Sequence, residues 1–315
     1  MTGYILRRLI WVFLLLVGVS LATFIIFFQI PANPAELVAG KNATPEMIAE
    51  IEHRLGLDRP WYVQYWRFLI KAVQGDLGFS YINQQRVVPT LLAALPVTLS
   101  LAVGAAVIWL AIGIPIGVLS ALKPRSLPDR LAMIFALVGI STPVYWLGLI
   151  MLKVFADALG FFPLGDYMEV SRGGLLSWMH HLILPWLTLA FLYAGWYARM
   201  TRANMLETMG EDYVRTARAK GVPEKHVICR HVLRNSLTPV VTMFGMDLGY
   251  LLGGAVLTET VFGLPGIGGL AWRAIQQRDL PMVLGAVVFA AVFIIVANLV
   301  VDLFYAVLDP RVRYR

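Results

Sequence analysis

Long apolar runs along the chain are separated by polar or basic connectors. A helix needs roughly 20 apolar residues to cross about 30 Å of hydrocarbon. Six runs approach that length, at about 9–29, 98–121, 131–155, 182–200, 240–260 and 282–305. The first is too long for the apolar core of a signal peptide, and Gln29-Ile30-Pro31 offers no small-residue cleavage site, so it reads as a retained span. Pro185 and the polar residues after it weaken the fourth. The pattern predicts an all-α membrane protein with six transmembrane helices in one domain, 1–315.

Composition supports the same class. Of 315 residues, 59% are hydrophobic and 14% charged, against about 25% charged in an average protein. Mean hydropathy is +0.72. A single cysteine, Cys229, excludes a disulfide within the chain.

The net charge of +7 takes its meaning from its placement. With a cytoplasmic N-terminus, the inside connectors hold Arg7 and Arg8; Lys123, Arg125 and Arg130; eight basic residues from Arg199 to Arg234; and Arg311, Arg313 and Arg315. The outside connectors hold Lys41, Arg54, Arg59, Arg67, Lys71, Arg86, Arg172, Arg273 and Arg278, and Lys153 falls within a span. The excess inside predicts that both termini are cytoplasmic. It explains the basic charge without nucleic acid.

Two connectors are longer than a simple link requires. The outer one, 30–97, contains Thr44-Pro45, a helix start, and Gly56, a helix stop. Asp58-Arg59-Pro60 then opens a second helix carrying Trp61, Tyr62, Tyr65, Trp66 and Phe68, an aromatic set suited to a membrane interface. This loop reads either as a docking surface for an outside partner or as a cap over the spans. The inner one, 201–239, predicts a short helix from Tyr213 to Lys220 with acids Glu211 and Asp212 at its start and Gly221 at its stop. Another helix follows from Pro223 to about Leu237. Ala217, Ala219 and Gly221 offer small side chains against which another protein would sit closely.

Chemistry is sparse. No G-x-x-x-x-G-K-[ST] loop exists to cradle a nucleotide phosphate, and neither a G-x-S-x-G elbow nor an H-E-x-x-H pair is present. His180-His181 are adjacent, diverge on a helix and chelate one metal poorly, so no metal site is expected. Acids within spans are costly and often functional. Asp247 and Glu259 lie in the fifth run, with Gly245, Gly249 and Gly253 forming a small-residue stripe. Asp247 either lines a pathway and favours cationic substrates or pairs with a neighbouring cation. Asp247, Tyr250 and Glu259 are the pathway candidates.

The segment Glu211-Asp212-Tyr213-Val214-Arg215-Thr216-Ala217-Arg218-Ala219-Lys220-Gly221, followed by His231 to Pro239, resembles the EAA loop of binding-protein-dependent ABC permeases. Further pieces fit the dipeptide/oligopeptide/nickel permease family in the same order. They are Tyr4 to Arg8, Leu55-Gly56-Leu57-Asp58 with Pro60, Gly75 to Ser80, Leu257 to Phe262, Pro265-Gly266-Ile267-Gly268 and Leu308-Asp309-Pro310-Arg311. One departure is Arg215-Thr216-Ala217, where the general EAA pattern begins with glutamate; the departure matches the peptide-type subfamily.

The resemblance implies a type I ABC importer-like fold and a place in the bacterial inner membrane. It implies a coupling element at Tyr213–Gly221 that fits an ATPase cleft, with ATP and Mg held by partner chains and no cofactor here. It also implies a second homologous permease subunit, two ATP-binding subunits and an extracytoplasmic solute-binding protein. Trp61, Tyr65, Phe262 and Pro265 are candidates for contact with that last partner. Di- and oligopeptides are the implied cargo; nickel, glutathione and haem are alternatives among close relatives, and import rests on the resemblance alone. The rival class is a carrier driven by an ion gradient, which would more typically show internal repeats, and no clear repeat is visible.

Overall fold

The structure, a computed structural model, describes residues 2–29, 34–39, 43–252 and 255–308. In chain order the helices begin with α1 (Thr2–Gln29), α2 (Pro34–Ala39), α3 (Pro45–Leu55), α4 (Trp61–Val73) and α5 (Val87–Leu122). Next come α6 (Leu127–Ser141), α7 (Val144–Met151, continued by π-helical Leu152–Ala158) and α8 (Val170–Met209). The connector after α8 holds α9 (Asp212–Ala219), α10 (Glu224–His226, continued by π-helical Val227–Leu233) and α11 (Arg234–Ser236). The chain continues through α12 (Thr238–Leu252), α13 (Val256–Val261), α14 (Ile267–Gln277) and α15 (Leu280–Leu308). One isolated antiparallel bridge joins Phe79 to Arg86.

This is an all-α, multi-pass arrangement. Among the described residues α5 and α8 are each long and apolar enough to cross a bilayer, and α6 with α7 makes a third span if the bent pair counts as one. Shorter apolar stretches run over Phe13–Ile26 in α1 and Leu280–Val296 in α15.

Several elements depart from the expected runs. The 131–155 run is not one helix, because its two halves bend by 99° between Ser141 and Val144. Pro143 sits at the bend and Thr142 before it is extended (φ −85°, ψ 121°), as a residue preceding proline prefers. The 98–121 run lies inside the longer α5, and the 182–200 run inside α8, whose helix is interrupted at Gly174 (φ 73°, ψ 172°) and then continues through Pro185 to Met209. The 240–260 run is divided between α12 and α13. Gly253, Lys41 and the Asp309-Pro310-Arg311 run lie outside the described residues. The 30–97 connector starts α3 as the sequence suggests. The Thr44 hydroxyl accepts from the Met47 amide at 3.3 Å, and Gly56 closes α3 at φ 71°.

The chain divides into two compact units. The first holds 1–98, 249–260 and 265–315. There α1 packs on α15 and touches α4. Tyr65 is buried in this contact: its hydroxyl donates to the Val17 carbonyl at 3.1 Å and lies 3.0 Å from the Ser20 hydroxyl. Leu77, Val87, Leu91, Ile267, Met282 and Val283 form the core. The Ser80 hydroxyl and the Tyr81 amide both donate to Asp279, tying the loop before α5 to the start of α15.

Glu259, fully buried, organises the start of α14. One carboxylate oxygen accepts from the Thr98 hydroxyl and the other from the Gly269 amide, each at 2.8 Å. Thr98 in turn accepts from the Ile267 amide at 2.9 Å. The first amides of a helix have no partner within it, and α14 has no side-chain cap of its own, since Gly266 occupies the cap position. A Cβ added at Gly266 would lie 2.4 Å from the Glu259 carboxyl carbon. The carboxylate therefore fills the space of the missing cap side chain.

The second unit holds 99–248 and 261–264. Here α6 and α7 pack on α8. Glycines set the closest approaches: an added Cβ at Gly139 would meet the Phe191 carbonyl at 2.8 Å, and one at Gly113 the Ala194 carbonyl at 2.9 Å. Gly113-x-x-x-Gly117 thus marks the close packing of α5 on α8.

Replacing Glu259 with Ala leaves buried donors at Thr98 and Gly269 unsatisfied, each worth about 1–3 kcal/mol. The expected outcome is a lower midpoint in a thermal melt of the detergent-solubilised protein. Gly266→Ala should lower it as well, because the methyl group displaces the carboxylate.

Candidate functional site

The short helix α9 and the corner after it are built from the chain's own packing. Val214 and Ala217, three residues apart, share one face of α9. They are buried with Ala121, Met205, Val227 and Val232. The small side chain of Ala217 therefore faces this chain and not a partner, which corrects the expectation that it forms part of a docking surface. Ala219 is exposed, as are Glu211, Asp212, Tyr213, Arg215, Thr216, Arg218 and Lys220. Gly221 adopts φ 76°, a left-handed conformation that closes the helix at little steric cost to glycine.

Polar contacts hold the corner. The Arg218 guanidinium donates twice to Glu224, at 3.1 and 2.8 Å. The Tyr213 hydroxyl accepts from the Asn235 amide group at 2.7 Å and donates to the His231 carbonyl at 3.3 Å. Arg218, by its hydrogen bonds, holds the Glu224 carboxyl below its usual value, and Glu224 raises that of Arg218. What results is a small, braced, charged ridge at the end of α8.

The pathway candidates have different environments. Asp247 is half-buried and accepts from the Tyr197 hydroxyl at 2.7 Å, so its partner is a phenol and not a cation. Tyr197 is buried beside Trp109, which stacks on Tyr193 at 4.6 Å and approaches Phe244. Tyr250 is 69% exposed. Glu259 is fully buried as the brace of α14 and presents no free oxygen to a pathway, so its candidacy is replaced by a structural role.

The outer-contact candidates also separate. Trp61 and Pro265 are exposed. Tyr65 and Phe262 are buried, Tyr65 against α1 and Phe262 beside Gly148, and neither offers a surface to another protein. His180 and His181 bond to different carbonyls, those of Phe161 and Ser177.

One polar centre escaped the sequence reading. Asp129 accepts from Arg202 at 2.6 and 2.9 Å, from the Arg125 amide at 2.8 Å, and from the Ser120 hydroxyl. It joins α5, α6 and α8 at one point. The available signal was Ser126-Leu127-Pro128-Asp129, a helix-start pattern with an acid three residues after the cap. Arg202 had registered only as a topological charge.

Comparison with known proteins agrees with this architecture. Residues 113–314 match the family described as binding-protein-dependent transport system inner membrane component, and residues 1–102 match its N-terminal companion. The chain is 42% identical to the probable D,D-dipeptide transport system permease protein DdpB of Escherichia coli, covering 98% of this chain and 97% of that one. It is 39% identical to the glutathione transport system permease protein GsiC of Escherichia coli over all of both chains. A solved structure of the MetNI methionine ABC transporter in inward-facing conformations shares the fold, with TM-score 0.50 and 19% identity over 67% of this chain and 94% of that one.

The Arg218–Glu224 brace predicts a pH response. A depressed carboxyl contributes fully above its ordinary value, and the contribution is lost as pH falls through the lowered one. Protection from hydrogen exchange at 212–226, referred to the intrinsic rate at each pH, should therefore fall on acidification below the usual glutamate range. In Glu224→Gln protection should be lower at neutral pH and lose that dependence.

Proposed function

The chain belongs to the binding-protein-dependent transport system inner membrane components, the permease subunits of ABC transporters, and on that basis we propose that it forms half of the translocation pathway of an importer for di- and oligopeptides. It is a transport subunit without a nucleotide-binding domain of its own, and a multi-pass component of the bacterial inner membrane. In the proposed assembly a related permease subunit supplies the other half of the pathway. Two ATPase subunits bind ATP and Mg, and an extracytoplasmic binding protein delivers the cargo. Six spans with both termini cytoplasmic put α9 on the ATPase side and the 30–97 loop outside.

The observation that carries this reading is the braced ridge of α9 on α8. Met205 packs in one buried cluster with Val214 and Ala217. Tyr197 lies eight residues earlier on the same helix, about 12 Å along its axis. ATP-driven closure of the partner subunits would press on α9, and α8 would carry the displacement to the Tyr197–Asp247 contact. The ligand of the cycle is ATP, whose preference for one state shifts the population of access states.

The relatives named for D,D-dipeptides and for glutathione support a peptide-type cargo. Nickel and haem are the alternative cargoes of the same reading. Asp247 supplies a negative charge suited to the cationic side chains of basic peptides.

Ala219→Trp adds bulk on the exposed side of α9 and leaves the Val214–Ala217 packing intact. The assembled complex carrying it should lose co-purifying ATPase or its stimulation by transport substrate, with the melting midpoint unchanged. ATPase coupling unaltered by Ala219→Trp would remove α9 as the docking element, and uptake into vesicles driven by a proton gradient alone would establish the carrier instead. Separately, Asp247→Asn should reduce uptake of basic peptides more than of neutral ones, measured by competition in reconstituted vesicles; equal effects would make Asp247 a structural partner of Tyr197.

A further inference from the structure

The seat of α9 borders the buried polar centre at Asp129. α9 packs on Ala121 of α5 and Met205 of α8, and Val227 and Val232 close the cluster. Ser120 directly precedes Ala121, and Arg202 lies about one turn before Met205. Both side chains reach from that floor to Asp129 on α6, which is 4% exposed. The Arg202 guanidinium donates to both carboxylate oxygens, at 2.6 and 2.9 Å. The Ser120 hydroxyl and the Arg125 amide complete the set, the amide at 2.8 Å. Among the described residues, none from α6 belongs to the floor under α9 or to the side chains packed against it. A displacement of α9 therefore meets α5 and α8 first, and α6 through them.

The rest of the seam between α6 and α8 has a different character. An added Cβ at Gly195 would meet the Ala136 carbonyl at 2.8 Å, and one at Gly139 the Phe191 carbonyl at 2.8 Å. Ala136 is seven residues from Asp129 and Gly195 seven from Arg202, so these contacts continue the line of the ion pair about two turns on. Small residues bring backbones together without interlocking long side chains. Phe135 and Phe191 add an edge-to-face contact, with centroids 5.4 Å apart. Such a seam resists separation but offers little resistance to sliding along its length. A planar guanidinium forked onto a carboxylate fixes distance and direction together. It does so here at the end of the seam nearest α9. Net stability is a weak reason for the pair, since well-packed apolar residues often replace a buried ion pair without loss. Fixed register is what the pair adds.

We infer that Asp129 and Arg202 form a positioning strut of the transport cycle: they make α6 follow α8, so that a displacement received by α9 also reaches the bent pair α6–α7. The inference rests on the permease reading above. Opening the pair would strand a buried charge, so it stays closed throughout the cycle. α6 then carries the motion as far as Ser141, where the chain bends by 99° into α7. Tyr197, five residues before Arg202 on α8, moves with the same body. Neither member of the strut touches cargo; both act through the helices they join.

The test uses the assembled complex in vesicles and reads peptide taken up per ATP hydrolysed. Single neutral variants leave one buried charge unpaired and may fail to fold, so the decisive variant is the double one, Asp129→Asn with Arg202→Met, which strands neither charge. It should keep its melting midpoint, its co-purifying ATPase and its hydrolysis, while uptake per ATP falls about tenfold, the order expected where coupling between two sites is lost. Arg202→Lys, which keeps the charge without the fork, should restore part of the ratio. Arg172→Gln, an exposed cation elsewhere on α8, should leave the ratio unchanged. Motion is read directly in a Cys229→Ser background with spin labels at Leu127→Cys on α6 and Leu187→Cys on α8, both exposed positions. Their separation should be the same without nucleotide and with the ATPase trapped by vanadate in wild type, and should become nucleotide-dependent in the double variant. A wild-type ratio in the double variant overturns the strut. So does a proportionate fall of uptake and hydrolysis with a lowered melting midpoint, which makes the pair a stability element only. A label separation that changes in wild type, or stays fixed in the double variant, overturns it as well. Absence of ATPase from the wild-type preparation refutes the permease reading and the strut with it, whereas the other failures appear with ATPase present and refute the strut alone.

Discussion

The buried carboxylate of Glu259 meets the constraint that governs the first unit: backbone groups released where a helix stops cannot be left dry. Inside packed protein no water is at hand to receive them, so each interruption must be answered by the protein itself. Between α13 and α14 the chain turns through Gly263 to Gly266, and the new helix opens with amides that have no partner of their own. Thr98 answers Ile267, and Glu259 answers Gly269 and is itself held by Thr98. Because Thr98 sits on α5, the turn is fixed to a long helix distant in sequence. Gly266 is then required for a reason unrelated to flexibility, since the carboxylate occupies the place of its side chain.

The second unit solves a different problem, the close approach of long helices in a solvent as apolar as their side chains. Dispersion at short range does the work, and small residues make it possible. Gly113 and Gly117 bring α5 onto Ala194, Ala198 and Thr201, while Gly139 and Gly195 bring α6 onto the same helix α8. Where the helices end, Asp129 gathers Arg202, Ser120 and the Arg125 amide, so that a charge taken out of water has donors on every side. Breaking such a pair by removing one partner strands the other, and much of the destabilisation comes from that stranded charge.

Much of this was legible in the sequence where the cause is local. Thr44-Pro45, Gly56 and Gly221 act through their own backbone and the residues beside them, and the structure places helix ends there. What was not legible depends on distant partners. Pro143 and Pro185 look alike in an apolar run, yet the chain bends by 99° at the first and stays helical through the second. Tyr65 and Phe262 read as contact candidates for an outside partner because composition says nothing of which face they occupy; one is turned onto α1 and the other is buried beside Gly148. Glu259 read as a pathway acid because an intramembrane charge is usually functional. The amides that claim both its oxygens come from a turn whose geometry no periodicity reveals.

The basic residues show how the same charge takes three roles according to what surrounds it. Arg202 is mostly buried and bidentate to Asp129, where it holds three helices together. Arg218 is part-exposed and bidentate to Glu224, where it braces a corner that still faces outward. Arg67 and Lys71 are exposed, have no carboxylate partner among the described residues and line a cleft in the first unit. A count of Lys and Arg along the chain treats these alike and yields only an orientation. The partner of each guanidinium separates the cations that build the fold from those that await something outside it. By that criterion Arg218 on the ridge of α9 is satisfied within the chain, whereas Arg67 and Lys71 have no carboxylate partner among the described residues.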